Sequence, residues 1–331
     1  MHNQAADGLR RIAAALLVGA TLGAIAAPAA AQSFPSRSVR IIVPQTPGGA
    51  SDVLARVAGQ KLGERWGQTV VVENRPGAGG VIGTDQVAKA PADGYTLLMS
   101  YAGTQAINPS LYATLPFDSV KDFQPVATLA VVPFLLVVNP KVPAQNLTEF
   151  LELARRTQGG VTYGSAGNGS VNHLLGEMLK ADTGAALVHV PYRGAAPAIA
   201  DVISGQIQSV FTSMPSVIQH VRQGSVRALA VTSAARTPAL PDLPSIAEAG
   251  VAGFDVNPWF GLLAPAGTPE AVVRRINADV AAMLGERATQ DVFRAQGAEP
   301  YQTTPEAFLA QLRADVQRWA EVVKASGAKL D

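Results

Sequence analysis

The sequence predicts an α/β protein of two doubly wound lobes joined by a hinge. Three observations carry this. Short runs of branched apolar residues alternate with helical patterns along most of the chain, which implies parallel strands with helices on both faces. Two such series occur, separated by the long apolar run "VATLAVVPFLLVVN" at 126–139. The chain has 331 residues, long for one domain and comfortable for two.

The first 31 residues read as a secretory signal peptide, not as part of the fold. Arg10 and Arg11 precede an alanine-rich apolar run, and Ala29-Ala30-Ala31 offers the small residues a signal peptidase needs. The run is short and broken by Gly19, Gly23 and Pro28, so it falls below the roughly 20 strongly apolar residues of a membrane span. The residues around Arg10-Arg11 do not support a twin-arginine signal. These 31 residues hold two of the 26 basic and one of the 25 acidic side chains, so the remainder carries 24 of each. A neutral chain has no electrostatic case for nucleic acid or an anionic membrane. It has no cysteine, hence no disulfide, thiol chemistry or lipid anchor. Export without disulfides fits a periplasmic protein with a large core.

Val39–Val43 reads as a strand and Asp52–Trp66 as a helix, with Val53, Leu54, Val57, Leu62 and Trp66 near helical spacing. Strand 69–72, the loop "ENRPGAGG", helix 81–90 and strand 96–99 follow. The run 126–139 is too long for one strand and holds Pro133; two strands meeting at a bend, or one crossing between domains, both fit. The second series places helices at 147–156, 170–181, 195–204 and up to 223, with strands at 161–163, 187–190, 209–212 and 226–231. Strand 259–265 and helices 268–284, 287–296 and 304–325 finish the chain. Thr268-Pro269-Glu270 and Thr304-Pro305-Glu306 both look like N-cap starts with proline in the first turn. The second lobe is thus expected as an insertion: lobe 1 is 32–134 plus 254–331, lobe 2 is 135–253.

Ligands of parallel sheets bind beyond the carboxyl ends of strands. Three loops there are rich in Gly, Ser and Thr and poor in charge: "QTPGGASD" (45–52), "YGSAGNGS" (163–170) and "VPYRGAAP" (190–197), with "SYAGT" (100–104) as a fourth. The first four N–H groups of a helix lack partners and carry partial positive charge. Two glycine-lined helix starts facing each other would clamp a carboxylate without lysine or arginine. Ser51 and Ser170 could equally be plain helix caps, and Asp52 could serve only its own helix. His173 could reach the cleft or merely cap and pack; Tyr192 and Arg193 could touch a ligand or lie on the surface.

No metal spacing joins His173, His189 and His220, so no metal or cofactor is expected. There is no GxSxG elbow. "GAGGVIG" (77–83) fails the dinucleotide fingerprint, because Ile82 stands where the third glycine belongs. A hydrolase using Ser165 or Ser170 with His173 remains an alternative, although nothing evident orients the histidine.

The segments "RIIVPQTPGGASDVLAR", "VVVENRPGAGGVIGTDQVAKAPADGYTLLM", "YGSAGNGSVNHLLGE", "HVPYRGAAPAIADVISGQI" and "WFGLLAPAGTP" resemble the Bug, or TctC-like, family. These are periplasmic substrate-binding proteins of tripartite tricarboxylate transporters. The resemblance runs from about Pro35 to the C-terminus. It implies a type II periplasmic-binding-protein fold, a monomer that is not an enzyme, a small organic carboxylate as ligand, and inner-membrane permease subunits as partner. A sensor that reports the same ligand to a kinase would look alike in sequence. Carried onto this chain, one arm of the family's pincer is Thr46, Gly48, Gly49, Ser51 and Asp52. The other is Ser165, Ala166, Gly167, Gly169, Ser170 and His173, flanked by Gly103, Thr104, Tyr192 and Arg193. Gln45 departs from the aromatic residue common in relatives, and Thr212-Ser213 from an acidic or Asp-Asn pair. Both departures imply a ligand that needs hydrogen bonds at position 45 and bears no cationic group.

Overall fold

The computed structural model describes residues 34–330, and Arg37 onward forms one compact unit. The expected signal peptide lies outside the described residues. Two sheets organise the unit. The first contains β1 (Val39–Val43), β2 (Val70–Asn74), β3 (Thr96–Tyr101), β4 (Phe123–Val131), β10 (Trp259–Pro265) and β11 (Glu299–Pro300) in the order β11-β4-β10-β3-β1-β2. The second contains β5 (Phe134–Val138), β6 (Val161–Ser165), β7 (Leu187–Pro191), β8 (Ser209–Ser213) and β9 (Arg227–Val231) in the order β7-β6-β8-β5-β9.

Within each series the strands joined by helices are parallel: β1 with β2 and β3, and β6 with β7 and β8. The sheets are nevertheless mixed. Strands β10 and β5 run antiparallel to their neighbours, because they carry the chain between sheets instead of returning through a helix. Strands β3, β5, β8 and β10 lie inside their sheets and are buried almost throughout, whereas the edge strand β2 is only partly covered. That difference explains their near-continuous apolar runs.

The helices are α1 (Ala50–Trp66), α2 (Val81–Ala88), α3 (Asn108–Leu111), α4 (Leu147–Arg156), α5 (Val171–Thr183), α6 (Ala195–Ser204), α7 (Met214–Arg222), α8 (Glu270–Gly285), α9 (Arg287–Ala295) and α10 (Pro305–Ser326). The expected cap at Thr304 is present: its Oγ1 accepts from Ala307 N at 3.2 Å. The one at Thr268 is not. Its hydroxyl donates back to Pro265 O, and α8 begins after Pro269 without a side-chain cap. Ser51 is no cap either, since α1 starts from Gly49 and places Ser51 inside the first turn.

The apolar run 126–139 is two strands in different sheets, parted at Val132-Pro133. The returning chain runs beside this crossing. Val132 N donates to Pro258 O, Phe134 N to Thr232 Oγ1 at 2.9 Å, and Thr232 Oγ1 to Val256 O at 2.7 Å. One buried hydroxyl thus joins both connections. Thr232→Val strands an N–H and a carbonyl there, and urea unfolding is expected to show a loss of about 1–3 kcal/mol.

Candidate functional site

In each sheet the strand order reverses at the strand that precedes a glycine loop: β1 lies between β2 and β3, and β6 between β7 and β8. Ligand crevices form at such switch points. Between the two lies a cavity of about 750 Å³. Residues at or just past the carboxyl ends of all six parallel strands line it: Pro44, Pro76, Tyr101, Ala166, Tyr192 and Ser213.

Four helix N-caps border the cavity: Gly49 of α1, Ser170 of α5, Gly194 of α6 and Ser213 of α7. Each helix start offers unpaired N–H groups and the positive end of its dipole. Among the lining residues Arg193, which is exposed, is the one charged side chain. The opposing loops also touch around the cavity. A Cβ on Gly194 would stand 2.5 Å from Thr46 Oγ1, and one on Gly169 2.3 Å from Leu111 Cδ1. Tyr101 and Phe260, stacked with centroids 5.2 Å apart, form an apolar wall with Phe134.

A larger hollow of about 930 Å³ lies beside the crossing segments. It borders the C-terminal ends of α7 and α9, where Arg222 donates to Ala295 O. Its Arg236 and Arg294 are paired with Glu248 and Glu299. Helix C-termini repel anions, so the 750 Å³ cavity is the candidate site.

Of the residues expected from the sequence, Thr46, Gly49, Ser51, Gly103, Ala166, Gly167, Gly169, Ser170, Tyr192 and Arg193 line this cavity. Five do not. Gly48 is exposed at φ +82°, with its N–H donated to Asp52 Oδ2 at 3.0 Å. Asp52 is buried and turned away, 2.8 Å from Arg56. Burial pushes its carboxyl up, but Arg56, the Gly48 N–H and Asn74 outweigh that and hold it below the usual range. Thr104 is buried, with Oγ1 3.1 Å from Ser100 Oγ. Ser165, fully buried, bonds His189 Nε2 at 2.6 Å and accepts from Gly167 N at 3.1 Å.

His173 likewise supports the loop from behind. Its Nδ1 accepts from Gly169 N at 3.0 Å, and its ring stacks on His189 at 3.9 Å. Ser170 does cap its helix, accepting from His173 N while donating to Gly167 O at 2.7 Å. No Ser170–His173 side-chain pair exists for nucleophilic attack, since the Nδ1 lone pair and the hydroxyl proton are both spent on the loop.

Several lining residues were not anticipated. The "ENRPGAGG" loop supplies Pro76 to Gly80. There the backbone turns through positive φ at Gly77, Ala78, Gly79 and Gly80 (137°, 46°, 59° and 94°). Its glycine density was the available signal, but the loop follows edge strand β2, whose place only pairing reveals. Asn108, Asn172 and Ser216 come from helix starts, Tyr112 from the end of α3 and Leu330 from the C-terminal segment, and nothing in their local sequence marked them.

The description "Tripartite tricarboxylate transporter family receptor" (TctC) matches residues 54–328. BugT of Bordetella pertussis is 39% identical over 323 residues, covering 97% of this chain and 99% of that protein. An R. palustris protein solved with adipate superposes with TM-score 0.87 at 38% identity, over 89% of this chain and 99% of that one. The periplasmic binding protein BugD gives 0.84 at 36% identity, over 89% and 99%. MatC of Rhodopseudomonas palustris, solved with malate, gives 0.81 at 32% identity, over 88% and 100%. The two-lobed α/β architecture is therefore that of periplasmic binding proteins, and the chain belongs to the TctC, or Bug, family of tripartite tricarboxylate transporter receptors.

Proposed function

We propose that this protein is a periplasmic solute receptor. It captures a small organic carboxylate between its two lobes, here taken as 32–134 plus 254–331 and 135–253, and delivers it to a tripartite tricarboxylate-type permease. The observation that carries the reading is the convergence of four helix N-caps on a cavity with one charged side chain in its wall. Charge-assisted hydrogen bonds to backbone N–H groups contribute about 1.5–3 kcal/mol each, so a few of them hold a carboxylate without a buried cation. The protein does no chemistry on the ligand; its free energy goes into favouring the closed lobes over the open ones. Relatives solved with adipate and malate support a dicarboxylate-sized ligand.

Thermal-shift screening tests this. An acid present at 100 times its dissociation constant stabilises the fold by about 2.7 kcal/mol. Stabilisation by amines or neutral sugars, and by no carboxylate, would defeat the proposal. Arg193→Ala gives a second test. Because Arg193 is exposed, its loss is expected to weaken carboxylate binding by less than about tenfold and to flatten its salt dependence. Complete loss of binding in calorimetry would mean that the side chain, not the helix ends, holds the anion.

A further inference from the structure

Among the described residues, the hydroxyls of Tyr101 and Tyr112 make no hydrogen bond within the protein, whereas those of Tyr163, Tyr192 and Tyr301 donate to Glu177, Asp201 and Gln311. Tyr101 and Tyr112 both line the cavity and are both partly exposed. Neither hydroxyl is among the polar atoms buried without a partner. Gln45 is the contrast. Its Nε2 and Oε1 are buried and unpaired, packed against Gly80. No ligand reaches them, so the hydrogen bonding expected at position 45 falls to other residues.

Each phenol rests on a glycine of the cavity wall. A Cβ on Gly103 would stand 2.4 Å from Tyr101 Oη, and one on Gly79 2.8 Å from Tyr112 Oη. Any side chain at either position would displace the hydroxyl. The two glycines belong to neighbouring segments, since a Cβ on Gly80 would stand 2.4 Å from Thr104 Cγ2. The phenols therefore share one wall. Both rings are held from outside it. Tyr101 lies opposite Phe260 in the β3–β10 register and stacks on it. Tyr112 bridges to Leu330, whose N–H donates to Leu111 O at 3.0 Å. Burial pushes the Tyr101 phenol up to about 12 and also raises that of Tyr112, so both keep their protons and can donate. Neither belongs to a helix start that borders the cavity. Three of those four starts, of α5, α6 and α7, come from the other sheet's side.

We propose that Tyr101 and Tyr112 are specificity-determining residues: their hydroxyls donate to a second carboxylate, at the end of the ligand remote from the one held by the helix starts, and so select diacids over monoacids of the same chain length. The inference rests on the receptor reading above. A carboxylate offers two oxygens to two O–H donors, and such bonds are short and charge-assisted. An acid ending in a methyl group leaves both hydroxyls unmet in a closed cavity. Sites built this way reject the analogue that lacks the polar group more strongly than apolar pockets reject a size change.

The test is calorimetry on pairs of equal chain length: adipate against hexanoate, glutarate against pentanoate, and succinate against butyrate. The wild-type protein is expected to bind the diacid of at least one pair about tenfold or more tightly. Tyr101→Phe and Tyr112→Phe each remove one oxygen and keep the ring, and a urea midpoint near that of the wild type establishes that each is folded. Each is expected to weaken that diacid about tenfold while leaving its monoacid within about twofold. A purely structural role would weaken both members alike. Equal wild-type affinity within every pair, a matched loss for diacid and monoacid, or a preference that survives undiminished in both variants overturns the inference while leaving the receptor reading standing. Failure of every carboxylate to bind the wild type overturns both.

Discussion

In Gly169→Val, carboxylate affinity is expected to fall at least about a hundredfold, with a loss of stability of up to about 2–5 kcal/mol. Gly169 has φ +71°, and a Cβ there would sit 2.3 Å from Cδ1 and 2.9 Å from Cδ2 of Leu111. Leu111 is buried, so turning its side chain aside would disturb the packing around it. A β-branched residue in the left-handed region costs about 1–2 kcal/mol or more, and overpacking adds about 1–3 kcal/mol. Part of that is relieved by pushing the loop off Leu111, which parts the two walls of the cavity. The same shift breaks the Gly169 N–H bond to His173. Gly184→Val is the control. It has a similar φ of +64° at the C-cap of α5, with no atom within 4 Å of a built Cβ. It should lose stability by backbone strain alone and keep its affinity. Calorimetry showing Gly169→Val within about threefold of wild type, under a kcal/mol, would mean that this loop does not shape the site.

Acidification is expected to weaken the fold and the second glycine loop together as pH falls from about 6.5 toward about 4. Gly169 N needs the Nδ1 lone pair of His173, which a neutral imidazole offers and an imidazolium does not. Burial pushes His173 down; Glu177 opposes and Lys180 assists. His189 is pushed to about 4 by burial, then by His173 and Lys180 against the pull of Glu177. Around these rings stand Glu177 and Lys180 on the same helix as His173, paired at 2.8 Å. Tyr163 on β6 donates to Glu177 at 2.7 Å, and Ser165 bonds His189.

The sign follows from linkage. The unfolded chain binds these protons more readily than the folded one, so the stabilisation is fully present above about pH 6.5 and is lost as pH falls through the folded values. For His189 this amounts to roughly 2 kcal/mol after discount for partial exposure. Urea midpoints measured between pH 7.5 and 4.5 should fall in the wild type and flatten in His189→Phe. His173→Gln retains an acceptor for Gly169 N–H without titrating, so as pH falls its affinity should hold longer than that of the wild type. Parallel pH profiles for all three proteins would contradict this account.

Much of the fold was legible because its signals are local. Helices 147–156 and 195–204 and strand 259–265 match Leu147–Arg156, Ala195–Ser204 and Trp259–Pro265, since apolar period and flanking polar residues agree there. The run 126–139 was ambiguous for the opposite reason. Continuous burial of β4 and β5 erases any period, and which sheet each strand joins is a matter of distant partners.

The sequence by itself determined the alternation of strands and helices, the glycine loops at strand ends, and the family those motifs mark. All of these depend on neighbours within a few residues, where torsional preference and capping chemistry act. Tertiary structure decided which way each loop residue faces. It turned Asp52, Thr104, Ser165 and His173 inward as supports and Gly48 out to solvent. It brought the 77–80 turn and Gln45 to the cavity wall. A shift of one residue in a turn reverses a side chain's direction, and the groups that select one direction, such as Leu111 against Gly169 and Thr46 against Gly194, lie far away in the chain. No local pattern carries that information, because the contact exists only after both sheets have formed and met.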